Sequence, residues 1–363
     1  MPKVILLSQV QLPYHKTGSW TTLYKNYLVD DHQIDIIICE QPNYYFQDIQ
    51  YETFKPDFWF KVYRRITKDR FHQYIKALES VIKIGEKYVL QIVDNFGLAS
   101  ALLKHLHKKN IRSVCYIQFF YHGYPPMLNK ESGNLFFEGI DEMILLTNAS
   151  YKQHCLFYSS LACRISILYN GIDTSKFFPV SDMDKEKLKL KFNLERKKVF
   201  VWCSQDRPKK GLSLLLDVWI RIWRKHSNIA LIVIGASQKR PIPGVRYMGE
   251  ISNDLLPEYY QLADVYLFPT LCQEGFSLSL TEALHCGCHC IASSLGGVPE
   301  ILQHGKLGQL IDNPHFLGEW ERAIGDYLTG KAPTYNFPKD LYTSKQWNKG
   351  MNRLIENSKL NLV

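Results

Sequence analysis

A chain of 363 residues, 46% of them hydrophobic, carries enough apolar material for two cores of ordinary domain size, which excludes a disordered polypeptide. Its 44 basic and 35 acidic residues leave a formal charge of +9, a balance that favours anionic partners such as nucleotide phosphates, acidic lipid headgroups or anionic saccharides and equally fits an ordinary basic protein. No apolar run reaches the length of a spanning helix, residues 4–7 are too few for a signal-peptide core, and the 9 scattered cysteines fit a reducing compartment, so a cytoplasmic chain is expected, with the inner face of a membrane as a further contact.

The first half alternates short apolar runs with helical patterns. Strands are expected at 3–7, 34–39, 88–93, 113–117, 142–146 and 164–168. A helix is expected over 98–108, with apolar residues at helical spacing and basic residues at its end. The turn after the first strand reads Tyr14-His15-Lys16-Thr17-Gly18-Ser19-Trp20, where Gly18 would allow a close backbone approach. From Tyr44 to Tyr74 the chain is dense in aromatic and basic residues, among them Tyr45, Phe46, Phe54, Phe58, Trp59, Phe60, Tyr63, Arg64, Arg65, Lys68 and Arg70. Aromatic and basic residues so mixed suit a membrane interface or a lipid-linked ligand, and less readily nucleic acid, while inward-packed aromatics would explain them equally well. After the strand ending near residue 117 comes Gln118-Phe119-Phe120-Tyr121-His122-Gly123.

A second series of strands is expected at 199–203, 229–234, 245–248, 265–268 and 288–292, with helices at 211–226 and 255–262 and a last one over 344–355. Two sets of βα units joined near 170–178 imply two domains with parallel, doubly wound sheets. Asp182-Met183-Asp184 has the form of a metal-binding pair but lies in a linker before a helix, where capping explains it. Arg207, Lys209 and Lys210 precede the helix beginning at Gly211; two fixed cations there would stabilise a negative charge that develops beside them. In Glu274-Gly275-Phe276-Ser277-Leu278-Ser279-Leu280-Thr281-Glu282, two carboxylates flank a glycine-opened helix start. Backbone N–H groups at such an end attract phosphate oxygens. The second carboxylate falls about two turns further on, so both can face one ligand. His285-Cys286-Gly287-Cys288-His289-Cys290 could ligate a soft metal, yet no second ligand cluster would complete a tetrahedral site, and buried thiols acting as small hydrophobes are the expectation.

These segments together resemble the retaining glycosyltransferases of family 4, whose fold is GT-B. Glu274 through Glu282 is similar to their E-x7-E motif, Asn170-Gly171-Ile172-Asp173 to an inter-domain N-G-[IV]-D, and Lys210-Gly211-Leu212 to K-G-[LV]. Leu231-Ile232-Val233-Ile234-Gly235, Ala263-Asp264-Val265 and Gly296-Gly297-Val298-Pro299-Glu300-Ile301 match further segments, in the family's order. The likeness covers roughly 165–312. It implies two Rossmann-like domains with a cleft between them: an acceptor-binding domain over 1–172, a nucleotide-sugar-binding domain over 173–340, and a terminal helix over 341–363 that crosses back to the first.

The same resemblance implies the roles. Glu274 would contact sugar hydroxyls. Backbone groups of Gly275, Phe276, Ser277 and Leu278 would hold sugar and diphosphate. Glu282 would bind ribose, Gly249 would bracket the nucleobase, Gly18 would close on the donor phosphate, and His122, with His15 in reserve, would lie by the sugar. The family's arginine stands five positions before the lysine, where this chain has Gln205; Arg207 is the replacement. The function implied is transfer of a sugar with retained configuration, from a nucleotide-sugar to a saccharide or lipid-linked hydroxyl, without an essential metal or other cofactor; the basic charge, the cytosolic cues and the aromatic-basic stretch lean towards bacterial surface polysaccharide assembly. Two rivals remain: a nucleotide-sugar hydrolase or epimerase on the same fold, and a non-catalytic partner subunit of a transferase, which Gln205 would favour. A dehydrogenase is not expected, because no G-x-G-x-x-G follows the first strand.

Overall fold

The computed structural model describes residues 1–14, 19–55, 69–238 and 240–362. His15, Gly18 and the aromatic-basic residues Phe58, Trp59, Phe60, Tyr63, Arg64, Arg65 and Lys68 lie outside them. The chain divides into two compact units, Met1–Tyr169 with Ser344–Val363, and Asn170–Thr343.

The first unit is built on β1 (Lys3–Leu7), β2 (Ile36–Glu40), β3 (Gln50–Phe54), β4 (Tyr88–Val93), β5 (Cys115–Tyr121), β6 (Glu142–Leu145) and β7 (Arg164–Ile167). These strands form a parallel sheet of order β3-β2-β1-β4-β5-β6-β7. Successive side chains on a strand point to opposite faces. Ile5, Leu7, Ile36, Ile38, Leu90, Ile92, Ile117 and Phe119 therefore pack on one side, against α2 (His72–Val81), α3 (Phe96–Lys108), α4 (Lys130–Gly139) and the end of α5 (Asn148–Phe157). Val4, Leu6, Ile37, Val89, Tyr116 and Phe120 pack on the other, against α1 (Ser19–Tyr27) and α12 (Ser344–Leu360). Both faces are covered, as parallel sheets require.

The last helix belongs to the first unit: Trp347, Met351, Leu354 and Ile355 are buried beside Tyr24, Tyr27 and Leu168. Beneath it, Gln91, Gln118 and Glu142 occupy paired positions on three adjacent strands, all buried. Gln91 donates to Gln118 Oε1 at 2.9 Å, Gln118 donates to Glu142 Oε2 at 2.9 Å and to Ser358 Oγ at 2.9 Å, and the ladder is thereby satisfied.

The second unit contains α6 (Asp182–Lys191), β8 (Lys198–Cys203), α7 (Leu212–Lys225), β9 (Ile229–Ile234), β10 (Val245–Gly249), α8 (Leu256–Leu262), β11 (Val265–Phe268), α9 (Leu278–His285), β12 (His289–Ser293), α10 (Val298–Ile301), β13 (Gln309–Ile311) and α11 (Leu317–Leu328). Its strand order is β10-β9-β8-β11-β12-β13, all parallel, so the winding reverses between β8 and β11. Phe200, Trp202, Leu231, Val233, Val265 and Leu267 pack on Leu215, Trp219 and Ile222 of α7 and Trp320 of α11. The chain enters and leaves this unit side by side: Ile172 N–H donates to Tyr342 O at 2.8 Å.

Several readings of the sequence are settled by local contacts. Ser181 caps α6, its hydroxyl accepting from Asp184 N–H at 3.1 Å and donating to Asp184 Oδ2 at 2.7 Å. Asp264 lies before β11, where it accepts Val199 N–H at 2.8 Å and pairs with Lys185 at 3.0 Å and Lys189 at 3.2 Å. Burial raises its carboxyl, but Lys185, the Val199 N–H and Lys189 together outweigh burial and hold it below the ordinary value. Cys286, Cys288 and Cys290 are buried, and β12 starts at His289, so the first two thiols sit in the turn ahead of the strand. Of the aromatic-rich stretch, Phe46 and Tyr74 are buried, Phe54 rests edge-on against Tyr74 at 4.7 Å, and Tyr44 and Tyr45 are exposed.

Candidate functional site

Ligands of doubly wound sheets bind outside the carboxyl ends of the strands, where the winding reverses. In the second unit that point is the gap between β8 and β11, and the loops leaving these two strands are bolted together. Leu271 N–H donates to Lys209 O at 2.8 Å. Gly211 adopts φ +73°, and a Cβ there would lie 1.8 Å from Pro269 O, so only glycine lets the two backbones close up. The closure brings Lys210 Nζ to 2.5 Å from Glu274 Oε1. Thr270 Oγ1 donates to the same oxygen at 2.8 Å, and Cys272 Sγ is 3.7 Å from it.

The backbone of Glu274 is fixed from a third loop. Gly297 N–H donates to Glu274 O at 2.7 Å, and a Cβ on Gly296 would fall 2.4 Å from Glu274 N. The Gly296-Gly297 turn thus sets the seat of the carboxylate.

From Glu274 the chain runs through Gly275 and Phe276 into α9. Phe276 is buried, with its ring 5.5 Å from that of Tyr342. Ser277 caps the helix by accepting from Leu280 N–H at 3.3 Å, and Tyr266 donates to Ser279 Oγ at 2.8 Å. The first intrahelical bond runs from Thr281 N–H to Ser277 O. The N–H groups of Leu278 and Ser279 thus have no acceptor within the helix, and the positive end of the helix lies at the carboxyl edge of the sheet. Glu282 follows on α9 as a partly buried residue; burial pushes its carboxyl up to about 7, opposed by the nearby Tyr260 hydroxyl.

The other expected residues each have contacts of their own. Arg207 is exposed, and the turn uses its backbone: its N–H donates to Gln205 O at 2.7 Å and its carbonyl accepts from Lys210 N–H at 2.8 Å. Gln205 is exposed as well. Gly249 ends β10 with φ +67° and open space where a Cβ would be, and its carbonyl accepts from Gly235 N–H at 2.6 Å. His122 belongs to the first unit, just past β5. Its backbone N–H donates to Asp94 Oδ1 at 2.9 Å and its Nδ1 is 2.7 Å from Asp94 Oδ2, so one carboxylate fixes both the backbone and the ring. Asp94 itself sits at the end of β4 with φ +52°.

Sequence reading missed Asp94 and Thr270. Each is a single polar residue directly after a strand, at Val93-Asp94 and Pro269-Thr270, a signal too common to single out either. Among the described residues no group of three or more His, Cys, Asp or Glu side chains could hold a metal ion, and no helix is long and apolar enough to cross a membrane.

Two parallel, doubly wound units, with a lysine–carboxylate pair at the switch point of the second, define the GT-B class. Residues 197–329 match the family described as glycosyl transferases group 1, in line with the resemblance of the motifs. An uncharacterized glycosyltransferase of Methanocaldococcus jannaschii is 24% identical over 57% of this chain and 56% of its own length. A GDP-mannose-dependent phosphatidylinositol monomannoside mannosyltransferase of Mycobacterium tuberculosis is 28% identical over 42% of this chain and 43% of its own. The chain thus spans about half the length of the curated relatives it matches. In fold it resembles Anabaena HepE, solved in complex with UDP and glucose, with a TM-score of 0.71 at 15% identity over 98% of this chain and 100% of that one.

Proposed function

We propose that this chain is a glycosyltransferase that moves a sugar from a nucleotide-sugar to a hydroxyl of a saccharide or lipid-linked acceptor, with retained anomeric configuration and no essential metal. The observation that carries the reading is the Lys210–Glu274 pair at the carboxyl edge of the β8–β11 switch point, beside the start of α9. As the bond from the sugar's anomeric carbon to the diphosphate oxygen breaks, charge grows on that oxygen. Lys210, joined by Arg207 if its exposed side chain turns inward, stabilises that charge together with backbone N–H groups at Gly275, Ser277 and Leu278. The acceptor hydroxyl forms the new bond, and its proton passes to the phosphate. Glu274 holds sugar hydroxyls, Glu282 the ribose, and Gly249 the edge of the base. His122, fixed by Asp94, is the candidate of the first unit for the sugar, as the family resemblance implies.

A nucleotide-sugar donor is supported by HepE, solved with UDP and glucose, and a lipid-linked acceptor by the mycobacterial relative, named for a phosphatidylinositol mannoside. Membrane-surface association and surface glycan assembly belong to the same proposal. A second reading, a non-catalytic partner of a transferase, is favoured by Gln205 standing where the family carries arginine. The test is calorimetric titration with UDP-, GDP-, ADP-, TDP- and CMP-sugars without added metal, on the chain and on Glu282→Ala, with donor consumption measured on Glu274→Ala. One donor should bind, the Glu282 variant should weaken it roughly tenfold, and the Glu274 variant should lose a hundredfold or more in turnover, about what one group acting on a transition state is worth. Binding without turnover under any acceptor, or no binding at all, would shift the assignment to the partner subunit.

A further inference from the structure

We infer that Thr270 is a positioning residue for Glu274, and that it becomes the main support of that carboxylate once the donor engages Lys210. The inference rests on the reading of the site given above.

Both close contacts to the Glu274 carboxylate fall on one oxygen. Lys210 Nζ lies 2.5 Å and Thr270 Oγ1 2.8 Å from Oε1. The carboxylate is only 14% exposed, so losing its partners would leave it poorly solvated. Lys210, in contrast, has two competing uses. It neutralises Glu274 in the free chain, and it is the cation proposed above to meet the diphosphate. A dianionic diphosphate draws the ammonium more strongly than one carboxylate does. As Lys210 turns towards phosphate, Oε1 loses its closest partner.

Thr270 is built to remain. It is 1% exposed, and its neighbour Leu271 is tied by its N–H to Lys209 O. The hydroxyl has a single proton, and its other oxygen neighbours, Lys209 O and Cys272 O, are each 3.5 Å away. The proton therefore goes to the short, charged acceptor. The branched side chain has few rotamers, so the contact costs little entropy to hold. Thr270 acts on the sugar through Glu274.

The test compares Thr270→Val, which keeps the shape and removes the hydroxyl, with Thr270→Ser, which keeps the hydroxyl. The reading is the gain in affinity that the sugar adds, obtained by titrating UDP, GDP, ADP and TDP alone and then their sugar conjugates. Thr270→Val should leave the affinity for the bare nucleotide within about twofold and cut the sugar's contribution roughly tenfold, the worth of one hydrogen bond to a charged group. Thr270→Ser should stay near the unaltered chain. A merely structural threonine would weaken both ligands together. The proposal is overturned if Thr270→Val keeps the sugar's contribution, if it loses bare nucleotide equally, or if serine fails to rescue. Glu274→Ala separates the two levels. Loss of the sugar's contribution there, with none in Thr270→Val, removes the role of Thr270 alone. No loss in Glu274→Ala, or no nucleotide bound by the unaltered chain, removes the reading of the site and this proposal with it.

Discussion

Glu282 is the residue whose environment makes the sharpest demand on pH. Burial holds its carboxyl near 7, above the ordinary glutamate value, so in the donor-free chain the neutral form persists towards neutral pH. A pair of ribose hydroxyls would donate to the ionised form and stabilise it. Donor binding should then expel a proton, and affinity should rise as pH increases from 5.5 through about 7 and level off above it. The sign for stability is opposite. A raised carboxyl favours the protonated native state, so its contribution is greatest below the unfolded value and is lost as pH climbs through about 7. Glu282→Gln should flatten both profiles and bind donor more weakly at pH 8. Calorimetry in two buffers of different ionisation heat reads the proton directly. Donor affinity that is flat from pH 5.5 to 8 would remove Glu282 from the ligand.

At the scale of elements, the site depends on two loops that can touch only because one residue lacks a side chain. Gly211→Ala would place a methyl group 1.8 Å from Pro269 O at φ +73°, a backbone collision in a region that side chains already disfavour. The variant should lose more than about 2 kcal/mol in stability, read from urea unfolding, and should bind donor poorly even where it stays folded, because Lys210 is displaced. Unchanged stability and binding would mean that the loops close without this contact. The same loops show how far a sequence can be read. Buried parallel strands are continuous apolar runs, so β1, β4, β9 and β11 were legible to the residue. Two edge strands were not: Gln50–Phe54 is largely polar, and Gln309–Ile311 has three residues. The pair of Glu274 and Lys210 was legible because each belongs to a motif. Thr270 and Asp94 were not, because their meaning lies in a partner that a turn or a strand crossing delivers, and no periodicity marks it.

At the scale of the whole molecule, the two units are unequal as pieces of chain. The second is one continuous segment, Asn170–Thr343, with its own core and with its two ends paired at Ile172 and Tyr342. The first is discontinuous, because Ser344–Val363 returns to it after the second has been traversed. That return is energetically large. Trp347, Met351, Leu354 and Ile355 are buried on one face of its sheet, and each such side chain is worth roughly 2–5 kcal/mol, against a total stability of about 5–15 kcal/mol for a domain. Ser358 also caps the buried ladder of Gln91, Gln118 and Glu142, which without α12 would be left with unsatisfied polar groups under water or void. The expected outcome follows from this asymmetry. Residues 170–343 expressed alone should fold, giving dispersed amide resonances, a single cooperative melt and retained binding of the donor nucleotide. Residues 1–169 alone should remain aggregated or molten, and should be rescued when a peptide of residues 344–363 is supplied or fused. A cooperative, well-dispersed fold of residues 1–169 without that helix would show that its burial is dispensable, and that the ladder finds other partners.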